Sequence, residues 1–288
     1  MAGRLSTPAI IRWLGLVSAA LAVGVAVLRM RSLGAPGSMV SAHAGVFVVF
    51  ATLFVLLGRG RPLGPKMADA LLLAGGLALV FTPLLGAESS GVARWVQFGP
   101  ISLQPGLMVL PAMIVRYGRW PSLAGVAALT LAAAGLALQP DRAMAGSLVA
   151  GLLAVMLAAP SRLTAVALAA SLTSFVAALL QPDTLPGVAH VEGVLARAFA
   201  DGWVPGFELA GAGVALIAPA MPLMTRTEPS RAAGLAFAAT WLAILAASVV
   251  GAYPTPLLGF GPSLIAGYLL AVLVLAAAAP VSGDAARR

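Results

Sequence analysis

Ten long apolar runs, separated by short stretches that carry Pro, Gly or charge, make up most of this sequence. Most of them approach the ~20 residues that an α-helix needs to cross ~30 Å of hydrocarbon. They lack the alternation of barrel strands, and the helix is the other element that satisfies its own backbone hydrogen bonds in lipid. The sequence therefore predicts an all-α, polytopic integral membrane protein with about ten transmembrane helices, forming one domain over residues 1–288. The runs lie near residues 10–28, 39–57, 67–85, 103–115, 122–138, 144–159, 163–180, 204–224, 232–250 and 263–279.

The composition excludes several other classes of protein. With 61% hydrophobic residues, 9% charged residues and a mean hydropathy of +1.02, the chain has too little polar surface to cover a soluble globule. The absence of cysteine excludes a disulfide framework and thiolate chemistry. A net charge of +8 would suggest a nucleic-acid partner in a soluble protein. Here the charges are scattered through short loops, so they indicate membrane orientation and no nucleic acid is expected.

The basic residues predict the orientation. If the N-terminus is cytoplasmic, twelve Lys and Arg residues fall on the inside and five on the outside, as the positive-inside rule requires. Both termini are then cytoplasmic. The five outside residues are Arg29, Arg31, Arg94, Arg142 and Arg197. Most acidic residues lie at the outer face, namely Glu88, Asp141, Asp183, Glu192, Asp201 and Glu208, so the chemistry is predicted to be extracytoplasmic.

Five stretches carry unusual polar residues at the outer ends of the runs. They are GVARWVQFGPISLQP at 91–105, Gln139-Pro140-Asp141, His190-Val191-Glu192, Gly206-Phe207-Glu208-Leu209 with Gly213, and YPTPLLGFGPSL at 253–264. In this order and at these loops they resemble the motifs of the SEDS family of FtsW, RodA and SpoVE type, the polytopic polymerases of bacterial peptidoglycan. By motif the resemblance covers about residues 67–279, and the chain resembles a short, divergent member.

The resemblance implies an activity, a place and partners. A member of this family is a peptidoglycan glycosyltransferase in the bacterial cytoplasmic membrane, with its site at the outer face. It joins units of lipid II, an undecaprenyl-diphosphate-linked precursor, in cell division or elongation. The resemblance further implies a divalent cation, Mg²⁺ or Mn²⁺, and a monofunctional class B penicillin-binding protein as partner.

The resemblance also implies site residues. The catalytic base, a carboxylate that takes the proton of the acceptor hydroxyl, has two candidates. Glu192 matches by its neighbour His190, whereas the rival Asp201 matches better by its spacing to Gly206. Substrate-binding residues are expected at Arg94, Trp95, Gln104, Asp141, His190, Glu208 and Ser263.

Physical chemistry offers alternatives for three of these residues. Arg94 is either a bidentate donor to the diphosphate or a loop charge paired with Glu88. Asp141 stands where a carboxylate would cap a helix. Glu208 lies one turn inside an apolar run, where an ionised carboxylate is costly and favours a polar cavity. Arg94, Asp141, Glu192 and Glu208 are predicted to converge on one outward-facing cavity.

The segment 181–203 is predicted to be a shortened extracytoplasmic loop with a short interfacial helix. Apolar residues at helical spacing place that helix over 187–200, where it would present His190 and Glu192.

The fourth run departs from the family pattern. The acid and the lysine of its Q-P-S-E-x-x-K motif are replaced here by Leu107 and Leu110. Two alternatives to an enzyme therefore stay open. One is a catalytically inactive scaffold of a cell-wall complex, and the other is a transporter or flippase of lipid-linked precursors.

Overall fold

The computed structural model describes residues 5–60, 63–89, 92–99, 101–182 and 186–280. Gly91, Pro100 and Asp183, which were part of the predictions above, lie outside these ranges. The elements in chain order are α1 (Thr7–Ser32), α2 (Gly37–Leu57), α3 (Pro65–Leu85), β1 (Ala87–Ser89), β2 (Val92–Phe98), β3 (Ile101–Leu103), α4 (Pro105–Arg119), α5 (Leu123–Leu138), α6 (Arg142–Ala158), α7 (Arg162–Leu180), α8 (Val194–Asp201), α9 (Trp203–Ala215), a 3₁₀ turn (Ala218–Ala220), α10 (Met221–Met224), α11 (Ser230–Val250) and α12 (Pro262–Ala277).

Each predicted apolar run coincides with helix, and the predicted all-α polytopic class is confirmed. Of the described helices, six stretches have the length and composition to cross a membrane, and α5, α6 and α12 are shorter apolar helices. Side-chain caps fix several starts, since Ser122, Asp141 and Ser161 accept hydrogen bonds from backbone N–H groups one turn later. Proline in the first turn, where its missing N–H is not needed, opens α1, α3, α4 and α12.

Helix α4 lies at the centre of the bundle, in contact with α6, α11 and α12. Its side chains Leu110, Ile114 and Tyr117 are fully buried. Small residues permit the close packing, as at Gly267 of α12, where an added Cβ would lie 2.0 Å from the carbonyl oxygen of Leu107. The central position explains why a 15-residue helix is sufficient here, because α4 packs on protein over most of its surface.

The eighth run is not one continuous helix. It breaks after α9 into the 3₁₀ turn and α10, where Pro219 and Pro222 cannot continue the helical hydrogen bonds. The hydroxyl of Tyr268 donates to the freed carbonyl of Leu216 over 2.9 Å and lies 2.8 Å from the hydroxyl of Ser18. The freed carbonyl is therefore satisfied by a side chain of α12, which in turn contacts a side chain of α1.

The polar stretch between α3 and α4 is not an irregular loop. Its described residues form a small antiparallel sheet in the order β1-β2-β3, in which Val96 pairs with Leu103 and Phe98 with Ile101. Along β2, Val92 and Arg94 are buried, whereas Ala93 and Trp95 are half-buried. The expectation of helices alone missed this sheet because β1 and β3 have only three residues each and β2 does not alternate apolar and polar residues.

The two ends of the bundle carry different contacts. At one end, Arg12 donates to the carbonyl of Gly58 and Arg119 to that of Ala278. At the opposite end of α1, Arg29 forms an ion pair with Asp201. Helix ends thus alternate as the predicted topology requires, while the cytoplasmic position of the first end stays a prediction.

Candidate functional site

Arg94 is held by protein carbonyls. Its side chain is only 3% exposed, its Nε donates to the carbonyl of Gln139 over 3.2 Å, and its Nη2 donates to that of Pro140. The guanidinium also lies 5.7 Å from the ring centre of Tyr253, within the range of a cation–π contact. Arg94 therefore ties β2 to the turn between α5 and α6 and to the loop 251–261 that precedes α12.

Three further predicted residues meet beside Arg94. The amide of Gln104 donates to one oxygen of Asp141 over 2.8 Å, and the other oxygen accepts from the backbone N–H of Met144 over 3.1 Å. The backbone N–H of Gln104 donates to the hydroxyl of Ser263 over 2.8 Å. Asp141 is only 1% exposed, and as the cap of α6 it fills the structural role that its position offered. The buried cluster therefore joins α4, α6 and α12.

The loop 251–261 is hydrogen-bonded to the segment that contains Glu192. Glu192 pairs with Pro254 in an isolated antiparallel bridge, and the N–H of Thr255 donates to the carbonyl of Val191 over 3.1 Å. The N–H of Phe260 donates to the carbonyl of His190 over 2.7 Å. Glu192 thus has a fixed backbone.

The carboxyl group of Glu192 is buried. Its side chain is 9% exposed, and Oε2 accepts the backbone N–H of Val188. Burial raises the pKa of Glu192, while the bonds from Val188 and its own N–H and the charge of Arg197 partly oppose that rise. A carboxyl whose pKa is moved toward neutrality is a better general base near neutral pH than an ordinary one.

The rival carboxylate is differently placed. Asp201, at the end of α8, has a half-exposed side chain that forms an ion pair with Arg29 of α1. Asp201 therefore has a cation as its direct partner, whereas Glu192 is buried, accepts from the backbone N–H of Val188 and has the charge of Arg197 nearby.

A cavity of about 180 Å³ lies between the end of α1, the segment from the turn before α8 into α8, and the loop 251–261. The side chains that line it are Ala26, Arg29, Met30, Leu33, Ala189, His190, Val194, Arg197 and Leu258. Arg197 also donates to the backbone carbonyl of Glu192. Sequence analysis missed Arg29 and Arg197 as site residues, although both had stood out as basic residues on the predicted outer side.

Two expectations need correction. Glu208 has an exposed side chain on α9, so it does not join Arg94, Asp141 and Glu192 in one cavity, and that prediction is wrong. Arg94 and Asp141 do meet, and Tyr253 and Pro254 of one loop connect them to Glu192.

The second correction concerns the helix predicted over 187–200. Helix α8 begins only at Val194, because Gly193 before it has a left-handed backbone with φ of 63°. His190 has the same positive φ of 63° and, like Glu192, lies in the turn before the helix. Trp95 remains half-buried on β2.

The residues that replace the acid and the lysine of the fourth run lie in the core. Leu107 is 5% exposed and Leu110 is fully buried. Among the described residues, no group of three or more His, Asp or Glu side chains is arranged to hold a metal ion. The charges nearest to Glu192 and His190 are the guanidinium groups of Arg29 and Arg197, so the donor set does not fit a divalent cation.

Solved structures share this architecture. An aspartate-to-alanine variant of the rod shape determining protein RodA from Thermus thermophilus matches with a TM-score of 0.63 and 22% identity, over 91% of this chain and 96% of that chain. RodA of the same organism matches with a TM-score of 0.62 and 21% identity, over 91% and 95%. A chain from a study of polymerization and crosslinking by a peptidoglycan synthase complex matches with a TM-score of 0.57 and 20% identity, over 92% and 97%. No protein-family model and no curated protein matches the sequence.

The helices and these matches define the class, a polytopic all-α membrane protein. Its fold is that of RodA, as the resemblance of the five motifs had implied.

Proposed function

We propose that the chain is a short, divergent SEDS protein that polymerises glycan strands from lipid II at the outer face of the bacterial cytoplasmic membrane. The observation that supports this most directly is Glu192, a buried carboxylate with a raised pKa on a fixed backbone. The RodA fold and the five motifs in family order support it independently.

In this proposal Glu192 is the general base. Its carboxylate takes the proton of the acceptor sugar hydroxyl as that oxygen attacks the anomeric carbon of the donor, and the donor diphosphate leaves. Glu192 suits this role better than Asp201, because the carboxylate of Asp201 is held in an ion pair with Arg29. The backbone bonds of His190 and Val191 to the loop 251–261 hold the base in position.

The buried cluster of Arg94, Gln104, Asp141 and Ser263 has a structural role in this proposal. Since its described donors and acceptors meet other protein groups, we assign it the positioning of α4, α6 and α12. A divalent cation, Mg²⁺ or Mn²⁺, is implied by the resemblance, but no step is assigned to it because the donor set does not fit one.

The proposed partner is a monofunctional class B penicillin-binding protein. One matching chain comes from a peptidoglycan synthase complex, and that complex couples polymerization to crosslinking. Helix α9 exposes Trp203, Val204, Phe207 and Glu208. This face is apolar except for the carboxylate of Glu208, which lipid alone would solvate poorly.

A second candidate function is a catalytically inactive scaffold of the same complex. The observation that favours it is that Leu107 and Leu110, both buried in the core, stand where the family pattern has an acid and a lysine.

A polymerisation assay separates the two functions. The purified chain is incubated with lipid II, a class B penicillin-binding protein and Mg²⁺, and the products are resolved on a gel. We expect polymer from the wild type and from Asp201→Asn, and a loss of about 10²–10⁴-fold in rate for Glu192→Gln. If Asp201→Asn alone abolishes turnover, the base is Asp201. If the wild type makes no polymer yet binds the partner, the scaffold function holds.

A further inference from the structure

A lipid-linked substrate carries a diphosphate, and the protein needs a site for its charge. This inference rests on the proposed function, in which that diphosphate leaves from the donor. Arg94 had been predicted to bind it. In the structure, however, Arg94 donates through Nε and Nη2 to two backbone carbonyls and is almost fully buried. The diphosphate therefore has to meet other cations.

The cavity beside Glu192 brings three basic side chains together. Arg29 comes from the end of α1, His190 from the turn before α8, and Arg197 from α8 itself. Arg29 is far in the sequence from His190 and Arg197, so it is the fold that brings the three basic groups together. Guanidinium groups offer paired N–H donors that match phosphate oxygens.

Arg29 has a donor that the described protein does not satisfy. Its Nη2 donates to Asp201, but its Nε is buried and meets no hydrogen-bond acceptor within the described part of the chain. A buried, unsatisfied donor is unfavourable, and an anion in the cavity would satisfy it.

The remaining walls are apolar. Ala26, Met30 and Leu33 of α1 face the cavity beside Arg29, and Leu258 contributes from the loop 251–261. A purely ionic ligand such as inorganic diphosphate gains nothing from these walls. An anionic head group on an apolar chain matches both kinds of surface.

We propose that this cavity binds the phosphate head of a lipid, with Arg29, His190 and Arg197 as its ligands and the apolar residues of α1 along the start of the chain. Of the lipids with such a head, the proposed function selects a polyprenyl diphosphate. Arg197 lines the cavity and also donates to the backbone carbonyl of Glu192, so the cavity adjoins the turn that contains the proposed base.

Binding is tested without turnover. The full-length chain in detergent is titrated with undecaprenyl diphosphate, with phosphatidylglycerol and with inorganic diphosphate, and complexes are quantified by native mass spectrometry. Arg29→Gln and Arg197→Gln should each weaken undecaprenyl diphosphate binding about tenfold, the value of one charge-assisted hydrogen bond. Asp201→Asn should strengthen it, because it removes the carboxylate that competes for Arg29. A merely structural ion pair would not produce that gain.

The matched control is Arg31→Gln, which removes an exposed arginine two positions along the same helix. It should leave binding unchanged. An equal loss in Arg31→Gln and Arg29→Gln would reduce the effect to general charge and overturn the proposal. Should Arg29→Gln unfold, the double variant Arg29→Gln/Asp201→Asn keeps the pair neutral and tests the same loss.

The three ligands separate the sources of the phosphate. Preference for undecaprenyl diphosphate supports the proposal. Equal binding of phosphatidylglycerol, lost in the same variants, would make the cavity a general phospholipid site and overturn the substrate assignment. Equal binding of inorganic diphosphate would overturn the role of the apolar walls. A chain that binds the lipid but makes no polymer contradicts the proposed function alone, and polymer made at full rate by Arg29→Gln contradicts this inference alone.

Discussion

Glu192 and Pro254 pair as an isolated antiparallel bridge, although the helices α8 to α11 separate them in the sequence. The bridge joins the backbone of the candidate base to the loop 251–261, which also contacts Arg94 through Tyr253. A third contact to this loop comes from α2, where His43 Nε2 lies 3.3 Å from the carbonyl oxygen of Leu257. The site is therefore held by elements from the whole length of the chain.

The raised pKa of Glu192 predicts a pH dependence of stability. Burial favours the neutral carboxyl in the folded protein, so its pKa lies above its ordinary value of 4.5. The contribution of that neutral group is fully present below pH 4.5 and is lost as the pH rises through the folded pKa. Relative to Glu192→Gln, the wild type should lose thermal stability as the pH rises above 4.5. Melting curves of both proteins between pH 4 and 8 measure this, and a constant difference across the range would contradict it.

The same shift predicts the acid limb of the activity. If Glu192 is the base, polymerisation requires its ionised form, and the rate should rise with pH through one ionisation whose midpoint lies above 4.5. Asp201→Asn should keep this limb, since it leaves Glu192 in place. An acid limb that disappears in Asp201→Asn would instead assign the ionisation to Asp201.

The apolar runs predicted the helices well because burial in lipid needs only length and apolar composition. Their contacts were harder to predict. The pairing of Arg29 with Asp201 joins α1 to α8, and nothing in either local sequence indicates the other. The exposure of Glu208 was missed for a related reason. Its insertion cost suggested a polar cavity, but the face of α9 on which it lies is set by packing of Leu209 and Gly213 on the bundle.

The motifs predicted which residues meet better than they predicted what those residues do. Gln104, Asp141 and Ser263, which the resemblance had named as substrate-binding residues, come together in the structure. Their polar atoms, however, bond to each other and to backbone, a distinction that depends on distances below 3 Å and on burial. Sequence patterns do not carry that information.

Asp141 provides a test of the buried cluster. Asp141→Ala removes the cap of α6, worth about 0.5–2 kcal/mol, and leaves the buried amide of Gln104 without its acceptor, at a further cost of about 1–3 kcal/mol. The matched control is Ser161→Ala, which removes the cap of α7 and a contact with the hydroxyl of Thr164, a group that keeps its contact with Tyr117. We expect a clearly larger fall in melting temperature for Asp141→Ala. Equal falls would show that the bond to Gln104 contributes little.

The predicted orientation can be tested by labelling, because the chain has no cysteine and each introduced cysteine is unique. Val188 and Glu228 are both exposed and lie on opposite sides in the predicted topology. In intact cells, a membrane-impermeant maleimide should modify Val188→Cys and not Glu228→Cys, until the membrane is permeabilised. The reverse pattern would place the candidate site in the cytoplasm and remove lipid II at the outer face as its substrate.

Gly259 tests whether the loop 251–261 positions the base. A Cβ at Gly259 would lie 2.2 Å from the carbonyl oxygen of Val191, a backbone atom that has to move. Gly259→Ala should therefore break the bonds of Thr255 and Phe260 to the turn that carries Glu192. We expect faster hydrogen exchange over 188–193 and a fall in polymerisation rate, while the helices keep their protection.

Gly261→Ala is the matched control for this change. Its Cβ would have no atom within 4 Å, and Gly261 has φ of 174°, an extended backbone that any residue adopts. It should leave both the exchange over 188–193 and the rate as in the wild type. If Gly259→Ala behaves like Gly261→Ala in both measurements, the close contact with Val191 is dispensable and the loop does not hold the base. If exchange rises but the rate stays constant, the loop orders the turn and the base lies elsewhere, because a displaced general base cannot reach the acceptor hydroxyl within hydrogen-bond distance.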